Sequence, residues 1–250
     1  MYPLVKRIIS KLISNEQLVK HEVFLRGMFA LLYYGSRHQC TICNKKLRTF
    51  LQLSNHDLLC PKCGSLARDR RLWTILNENY IKRGISVLDF SPSRPLARKM
   101  KSIAGIKYIS TDLSGNFIAD FQYDITKLAL NDNNIDLIIC YHILEHITDD
   151  ATAMAELYRV LKPGGMGIFQ IPQDLNRATT FSDDTITDQK ERAKIFGQYD
   201  HVRIYGRDYF DKLRSIGFTV IEEDYTKRIA PELVEKYCLA KGEIIPVCYK

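Results

Sequence analysis

Residues 86–100, SVLDFSPSRPLARKM, have the pattern of a buried strand that runs directly into a helix. In nucleotide-binding α/β proteins the turn at such a junction is usually rich in glycine, which lets the backbone approach the ligand closely. Here the turn contains Ser91, Pro92, Ser93 and Pro95 and no glycine. The stretch therefore predicts an α/β fold and raises the question of whether this turn binds a cofactor.

Predicted strands and helices alternate from residue 85 onward, which indicates a mostly parallel sheet covered by helices on both faces. Seven segments have strand patterns, namely 85–90, 106–112, 117–125, 135–142, 166–172, 219–225 and 243–249. Three further segments have helical patterns, namely 94–103, 149–165 and 206–218. The class predicted from this alternation is an α/β domain of about 165 residues.

Acidic residues follow three of the predicted strands, at the end where parallel sheets bind ligands. Asp89 closes the first strand, Asp112 closes the second strand 23 residues later, and Asp124 follows the third. This spacing is typical of a carboxylate that binds the ribose of an adenosine-type cofactor. A carboxylate suits two vicinal hydroxyls because it accepts two hydrogen bonds at once.

Two C-x2-C pairs lie in the segment CTICNKKLRTFLQLSNHDLLCPKC, with 16 residues between them. The four cysteines are Cys40, Cys43, Cys60 and Cys63. Their spacing predicts a closed tetrahedral Zn²⁺ site that stabilises a fold too small for its own core. Iron in the same four-sulfur geometry and paired disulfides are the alternatives.

Three arginines, Arg68, Arg70 and Arg71, open a predicted helix directly after the second cysteine pair. Such a cluster can hold an anionic substrate through bidentate hydrogen bonds. The alternative is salt bridging to the acidic second part of the chain. Both interpretations place the guanidinium groups where they can reach a charged partner.

The net charge of +7 is concentrated in the first third of the 250-residue chain. Residues 1–84 contain 15 Lys and Arg residues against 5 Asp and Glu residues. This region could attract phosphate, anionic lipid or an acidic substrate, or it is a solvated basic surface. Apolar residues over 3–33 recur at helical spacing with basic residues between them, which predicts an amphipathic helix. Such a helix packs on its own domain or lies on a membrane surface.

No apolar run approaches the ~20 residues that a membrane span requires. The first residues, MYPLVKRIISKLI, have charges within the apolar stretch and no small-residue cleavage site, so we do not predict a signal peptide. We therefore expect a cytoplasmic protein, with contact to the inner face of the membrane through the N-terminal helix as a further expectation.

The run VLDF…YISTDL…YDITKL…IDLIICYHILEHITDD…ELYRVLKPGGMGIFQIP resembles the class I S-adenosylmethionine-dependent methyltransferases, in particular the type 11-like group with an LEH segment after the fourth strand. The resemblance covers about residues 85–225. The segments CPKCGSLARDRRLW and FGQYDHVRIYGRDYFDKLRSIGF resemble a bacterial subgroup of these enzymes with a four-cysteine front module. This resemblance implies a Rossmann-like, doubly wound, mostly parallel sheet of seven strands.

Cofactor positions follow from this resemblance, and S-adenosylmethionine is the cofactor that it implies. Asp89 would stand near the methionine end, where Ser91 and Ser93 would replace two glycines of the usual turn and offer hydroxyls instead. Asp112, followed by Leu113, would bind the ribose hydroxyls. The sulfonium cofactor has no pyrophosphate, so the turn does not need a dense phosphate cradle.

The resemblance also assigns Asp124 with Ile125 to the adenine edge and His142 to the methyl-transfer face. For Asp89 and Asp124 the alternative is a cap on the next element. Glu145 and His146 are expected to serve helix packing and capping. A metal site built on His142 and His146 would need further ligands that the sequence does not identify.

Methyl transfer to oxygen also requires that the acceptor lose a proton. His201, in YDHVRIYG, is the first candidate base and His142 the second. Arg203 and Tyr205 are predicted to orient an anionic or hydroxylated acceptor beside them. The polar segment 174–198 is predicted to be a lid over the acceptor or an inert surface excursion.

Four regions follow from these patterns. Residues 1–36 form a basic helical segment, 37–66 a four-cysteine module, 67–84 a linking helix and 85–250 the methyltransferase domain. The predicted function is methyl transfer to a small-molecule or glycan-type acceptor on oxygen. An RNA methyltransferase that grips nucleic acid through its basic front third is the alternative enzyme. A module that has lost catalysis and only binds is the third hypothesis.

Overall fold

The computed structural model describes residues 15–115 and 117–250, with the backbone alone for 15–20. The chain forms two compact units. The first takes in the chain up to Ile75 together with Ile229–Ala240, and the second comprises Leu76–Arg228 and Lys241–Lys250. The predicted domain over 85–250 is therefore interrupted by a segment that belongs to the first unit.

The described residues contain seven α-helices and twelve strands. The helices are α1 Asn15–Phe29, α2 Ala67–Asn79, α3 Arg94–Lys101, α4 Asp150–Val160, α5 Gln189–Phe196, α6 Tyr209–Ile216 and α7 Pro231–Tyr237. The strands are β1 Tyr34–Gln39, β2 Lys46–Leu47, β3 Leu51–Gln52, β4 Leu58–Leu59, β5 Ser86–Phe90, β6 Lys107–Thr111, β7 Ile135–Cys140, β8 Leu161–Ile168, β9 Phe181–Ser182, β10 Arg203–Ile204, β11 Thr219–Glu223 and β12 Ile245–Tyr249. Short 3-10 helices cover Ala30–Tyr33, Leu144–His146 and Tyr225–Lys227.

The second unit is built on a six-stranded sheet of order β11-β12-β8-β7-β5-β6. Strands β6, β5, β7 and β8 are parallel, and β12 runs antiparallel to both of its neighbours. Every residue of β5 is buried, as expected for a central strand covered on both faces. The predicted α/β class with a Rossmann-like, mostly parallel sheet is confirmed.

The sheet has six strands rather than seven, because the third predicted strand, 117–125, is reduced to an isolated bridge between Thr111 and Phe121. Both Asp120 and Phe121 donate their backbone N–H to the same carbonyl, that of Ser110. Two donors on one acceptor do not continue a ladder. The segment therefore leaves the sheet edge after one contact.

Helix α4 begins where its sequence predicts but ends at Val160, five residues before the predicted end, because Leu161 already starts β8. The side chain of Asp149 accepts a hydrogen bond from the backbone N–H of Thr152, which is the ordinary N-cap contact. Its buried face, with Met154 and Leu157, packs into the same core cluster as Ile138 of β7. This helix closes one face of the sheet and fixes the loop that precedes it.

The predicted amphipathic stripe over 3–33 is only partly described, since residues 1–14 lie outside the described range. Its described apolar side chains do not pack on the domain as predicted, because five of them are more than half exposed. These are Val23, Phe24, Met28, Leu31 and Leu32. Among the residues that the structure describes, no helix is long and apolar enough to cross a membrane.

Candidate functional site

The turn after β5 adopts the left-handed backbone conformation that glycine usually provides, but it does so with serine. Ser91 has a φ of 44°, which is uncommon for a residue with a side chain. Its backbone N–H bonds to the carbonyl of Thr111 at 2.7 Å, and its hydroxyl donates to Asp112 Oδ1 at 2.6 Å. These two bonds to the end of β6 hold the strained turn in place.

Asp112 is 4% exposed and lies at the carboxyl end of β6. Besides Ser91, its carboxylate accepts hydrogen bonds from Ser114 Oγ at 2.9 Å and from the backbone N–H of Phe117 at 3.2 Å. Burial alone would raise the pKa of Asp112, but the bonds from Ser91, Phe117 and Ser114 lower it below its usual value. The carboxylate is therefore ionised and firmly oriented.

Ser93 carries a buried hydroxyl that has no hydrogen-bond partner. It stands at the N-cap of α3, where a serine normally accepts a bond from the helix backbone, yet this side chain makes no such bond. Buried polar groups are rarely left unpaired. The Ser93 hydroxyl is thus available to a ligand in the same turn as Ser91.

Asp89 lies inside the sheet and is 1% exposed. The hydroxyl of Tyr108, on the neighbouring strand β6, donates to Asp89 Oδ2 at 2.8 Å. Burial first, and the adjacent Asp89 charge second, raise the pKa of Tyr108 above its usual range, so the phenol stays protonated as the donor. Asp89 therefore lies within β5, two residues before Ser91 of the turn, with its carboxylate bonded to Tyr108.

The structure favours the capping role for Asp124. Its Oδ1 accepts from the backbone N–H of Thr126 at 2.8 Å and from the Thr126 hydroxyl at 2.7 Å, so the side chain holds its own turn. Ile125 is buried in the core cluster, which contradicts the expectation that its side chain meets a ligand. Asp124 and Ile125 are therefore parts of the scaffold near this edge.

Exposed apolar side chains surround Asp112, and sequence reasoning had assigned only Leu113 among them. Leu113 is 60% exposed, and Phe117, Ile118 and Phe121 are also exposed. They form the surface beside the carboxylate where the flat face of a base could pack. The signal that could have found them is an apolar run in a segment that fails to continue the sheet.

His142 follows β7 by two residues and has a φ of 59°. Its backbone N–H donates to the carbonyl of Gln170 at 2.7 Å, which ties the exits of β7 and β8 together. Its Nδ1 lies 3.4 Å from Glu145 Oε1. The structure therefore places His142 beside the crevice, in a strained conformation of the kind found at functional sites.

Glu145, His146 and His201 form a compact cluster next to His142. One ligand atom from each of the three lies within 4.8 Å of the others. The cluster is assembled by a backbone bond of 3.0 Å from Val202 N–H to the Glu145 carbonyl. Glu145, expected to serve helix packing, lies in the 3-10 helix Leu144–His146, and its Oε2 is buried without a partner.

The half-buried ring of His201 has its Nδ1 3.2 Å from the carbonyl of Phe196. A carbonyl can only accept, so Nδ1 carries the proton and Nε2 retains its lone pair. Burial lowers the pKa of His201 below its usual value, against the opposing charge of Glu145. The imidazole is therefore neutral near pH 7, as a base or a metal ligand must be.

A family model described as a methyltransferase domain matches residues 88–169 of the chain, which include the strained turn, Asp112, Glu145 and His146 but not His201. A protein of Mycolicibacterium smegmatis described as a probable S-adenosylmethionine-dependent methyltransferase is 34% identical over 56 residues, 22% of this chain. Residues 88–169 of the chain therefore match a methyltransferase domain, and a shorter stretch is similar to an S-adenosylmethionine-dependent relative. The match spans 21% of the length of that relative.

Solved structures of methyltransferases share the fold of this domain at low sequence identity. One of them is a chain from the complex between the Haloferax volcanii Trm112 methyltransferase activator and a methyltransferase. The alignment covers 72% of this chain and 88% of that chain, at 18% identity and a TM-score of 0.50. An S-adenosylmethionine-dependent methyltransferase from Mesorhizobium loti covers 72% with 98% of its own, at 18% identity and a TM-score of 0.49. The first of these likenesses supports the fold alone.

In the methyltransferase domain, Arg203 and Tyr205 do not face an acceptor, which contradicts their predicted role. Arg203 pairs with Asp150 at 2.5 Å and donates to the carbonyls of Ile147 and Thr148, both at 2.7 Å. Tyr205 is fully buried, and its hydroxyl donates to Asp150 Oδ2 at 2.7 Å. Both side chains anchor the start of α4.

Replacing Tyr205 by phenylalanine should therefore destabilise the methyltransferase domain without weakening the binding of S-adenosylhomocysteine. The change leaves one buried oxygen of Asp150 short of a donor, so we expect the free energy of unfolding to fall by about 1–3 kcal/mol. Denaturant unfolding followed by circular dichroism measures this loss. Calorimetry with S-adenosylhomocysteine should give an unchanged Kd, and a large loss of affinity would restore Tyr205 to the site.

The four predicted cysteines of the first unit converge on one point. The Sγ atoms of Cys40 and Cys63 lie 3.6 Å apart, and those of Cys43 and Cys60 lie 3.8 Å apart. A tetrahedron of sulfurs about 2.3 Å from Zn²⁺ has edges of roughly 3.8 Å. A disulfide requires about 2.05 Å, so the separations fit a shared metal ion and not the disulfide alternative.

The two cysteine pairs lie on matching backbone turns. Cys40 N–H bonds to the carbonyl of Lys45 at 3.1 Å, and Cys60 N–H bonds to that of Ser65 at 2.8 Å. The residue after each pair, Asn44 or Gly64, has a positive φ of 56° or 84°. Each C-x2-C segment therefore closes on a left-handed residue that turns both thiols toward the same side.

Arg70 and Arg71 are buried in the first unit rather than held out for a substrate or a salt bridge. Arg70 donates four hydrogen bonds to carbonyls at 2.8–3.0 Å, and its guanidinium lies 3.9 Å from the ring centre of Phe50. The accepting residues are Leu58, Ser65, Tyr237 and Cys238. Arg71 donates to Ala240 at 3.2 Å. Arg68 is exposed and remains available.

Proposed function

We propose that this chain transfers a methyl group from S-adenosylmethionine to a hydroxyl of a small-molecule or glycan-type acceptor. The observation that carries the proposal is the buried, unpartnered Ser93 hydroxyl in the turn that Ser91 bonds to the fixed carboxylate of Asp112. Both groups lie at the carboxyl ends of parallel strands, where sheets of this kind bind ligands. The Ser93 hydroxyl as a donor and the Asp112 carboxylate as an oriented acceptor fit the methionine end and the ribose of this cofactor.

Asp112 would hold the ribose hydroxyls, Ser91 and Ser93 would meet the methionine end, and the exposed face of Leu113 would lie beside the adenine. When bound, S-adenosylmethionine supplies a methyl group on a sulfonium whose sulfur departs as a neutral thioether. The residues of the chain contribute alignment and exclusion of water from the crevice. The glycine-free turn is compatible with this task because serine takes the left-handed conformation itself.

The acceptor hydroxyl must lose its proton, and His201 is the side chain best prepared to accept it. Its Nδ1 is engaged with Phe196, which leaves the Nε2 lone pair toward the cluster. A positioned base contributes about 10²–10⁴-fold to the rate. His142, in contact with Glu145, remains the second candidate.

Exposed aromatic side chains in the segment around His201 support a sugar-like acceptor. Tyr199 is 54% exposed two residues before His201, and Phe181 is 37% exposed on β9. The ring of Phe181 lies 6.0 Å from that of Phe196, whose carbonyl holds His201. Aromatic faces of this kind pack against the apolar faces of pyranose rings.

Transfer of labelled methyl from S-adenosylmethionine into fractionated extracts of the source cell tests the proposal. Label in a polar small-molecule or glycan fraction supports it, and label in RNA would establish the nucleic-acid alternative instead. Calorimetry with S-adenosylhomocysteine separates both enzymes from a module without cofactor affinity, which would release no heat. Alkaline stability of the labelled product then distinguishes an ether from an ester.

Asp112→Asn should weaken S-adenosylhomocysteine binding by about 100-fold, because hydrogen bonds to a charged group contribute about 1.5–3 kcal/mol each. Calorimetric titration measures the Kd. Asp124→Asn is the matched control, since Asn keeps the oxygen that accepts from Thr126, and it should change the Kd by less than about 3-fold. Equal losses in the two variants would contradict the assignment of the ribose to Asp112.

A further inference from the structure

We infer that Glu145, His146 and His201 form a binding site for one divalent transition-metal cation at the carboxyl end of β7. One oxygen and two ring nitrogens from these residues lie within 4.8 Å of one another. Donors about 2.1 Å from a shared cation lie roughly 3.4 Å apart. Binding of the cation would draw the three donors from separations of up to 4.8 Å to about that value.

The state of Glu145 points to a missing positive partner. The residue is 1% exposed, and its Oε2 is buried without a hydrogen-bond partner. Its Oε1 has only a long contact of 3.4 Å with His142 Nδ1. A buried carboxyl oxygen without a partner is costly, and coordination of a metal is one way in which such an oxygen is paired.

Both histidines are held in the manner of metal ligands. His201 donates Nδ1–H to the carbonyl of Phe196 at 3.2 Å, and His146 Nδ1 lies 3.3 Å from the carbonyl of Asp200 and 3.4 Å from its carboxylate. Metal-binding histidines usually donate their second ring N–H to such an outer acceptor, which fixes the tautomer and orients the ring. In both rings Nε2 is thereby left with its lone pair.

The donor set defines the class of cation. One carboxylate and two imidazoles suit Zn²⁺, Mn²⁺, Fe²⁺ or Co²⁺, whereas Ca²⁺ and Mg²⁺ prefer oxygen ligands alone. Three protein ligands leave further positions open, as in catalytic rather than structural sites. His142, whose side chain is 25% exposed, lies next to the cluster and borders these positions.

The chemical role of the cation rests on the proposed methyl transfer. A hydroxyl bound to such a cation loses its proton to water more readily, because the positive charge stabilises the alkoxide. The alkoxide oxygen then uses one electron pair to form the new C–O bond, and the electron pair of the broken S–CH₃ bond returns to sulfur. With the cation bound, His201 is a ligand and no longer the base named above; the cation takes over that role by making the bound hydroxyl more acidic, and the proton passes to solvent.

Titration of the zinc-loaded protein with Co²⁺ tests the site by absorption spectroscopy. We expect one equivalent of Co²⁺ to give visible d–d bands without the thiolate charge-transfer band that the four-cysteine site would produce. Glu145→Gln and His201→Asn should each weaken Co²⁺ binding by more than about 100-fold, since even outer partners of ligands are worth roughly 10–100-fold. Co²⁺ should also raise the unfolding temperature of the unmodified protein and not that of the variants.

His56→Asn is the matched control, because His56 is an exposed histidine of the first unit with a positive φ that asparagine tolerates. It should bind Co²⁺ as the unmodified protein does. No Co²⁺ uptake beyond the cysteines, or equal uptake in both cluster variants, would overturn the inference. Calorimetry with S-adenosylhomocysteine is run in parallel: Co²⁺ binding without cofactor binding would defeat the proposed function and leave the metal site standing.

Discussion

Chelation of the metal from the four-cysteine site should unfold the first unit and leave the sheet of the second unit protected. Strands β2, β3 and β4 have two residues each. The hydrogen bonds between such short strands therefore add little to the stability of the first unit without the cation. Structural Zn²⁺ contributes about 10–16 kcal/mol of binding free energy in small domains, which is then folding free energy. Hydrogen exchange should show loss of protection over residues 40–66 and none over β5 to β8.

Cys43→Ser should reproduce the effect of the chelator, because three thiolates and a hydroxyl bind Zn²⁺ far more weakly. Cys248→Ser is the control, since Cys248 is buried in β12 and belongs to no cysteine cluster among the described residues. Metal content by mass spectrometry should fall by one Zn²⁺ per chain in Cys43→Ser relative to this control. Retained protection over 40–66 after complete metal removal would show that this segment folds by itself.

Arg70→Met should lower the free energy of unfolding of the first unit by about 3–5 kcal/mol, the range seen when one partner of a buried charged network is removed. The residue is 0% exposed and supplies donors to four carbonyls. Methionine fills a similar volume but donates nothing, so these carbonyls lose their partner. Burial lowers the pKa of Arg70, and the negative charge of the nearby cysteine sulfurs opposes that effect. The guanidinium therefore helps to balance the charge of these sulfurs.

Arg68→Met serves as the control for Arg70→Met, because it removes the same group from the same helix at an exposed position. Its effect should stay within about 0.5 kcal/mol. Equilibrium unfolding in urea, read by the hydrogen-exchange protection of the first unit, gives both values. A similar loss in both variants would mean that the helix requires arginine for its charge alone.

The local patterns predicted the strands, the cap of α4 and the cysteine module, because each depends on neighbours in the sequence. The shared location of the carboxyl ends of β5, β6 and β7 was also predictable, since parallel strands bring these ends to one edge of the sheet. Asp112 and Ser91 therefore lie at the same edge, although the hydrogen bond between them was not predicted. The missing third strand was not predictable, because the alternation of apolar and polar residues within 117–125 satisfies a strand pattern whether or not the backbone pairs.

The roles of the charged residues could not be predicted from the sequence for a different reason. Arg70 reaches carbonyls 167 and 168 residues away, and Arg203 reaches Asp150, so their burial depends on contacts that no local pattern encodes. The role proposed for Glu145 likewise depends on His201, which lies beside it in space but far along the chain. Side chains whose partners lie far along the chain require the tertiary structure.

The excursion of Ile229–Ala240 into the first unit has a consequence for biosynthesis. Arg70 leaves the ribosome long before the carbonyl of Tyr237, which it binds across 167 residues. At about 5–20 residues per second, the nascent chain waits roughly 10–30 s for this partner. A Zn²⁺ ion bound by the cysteine turns would have to be held during that interval while the guanidinium is still exposed to water. Cellular zinc supply and translation speed should therefore jointly set the yield of intact protein.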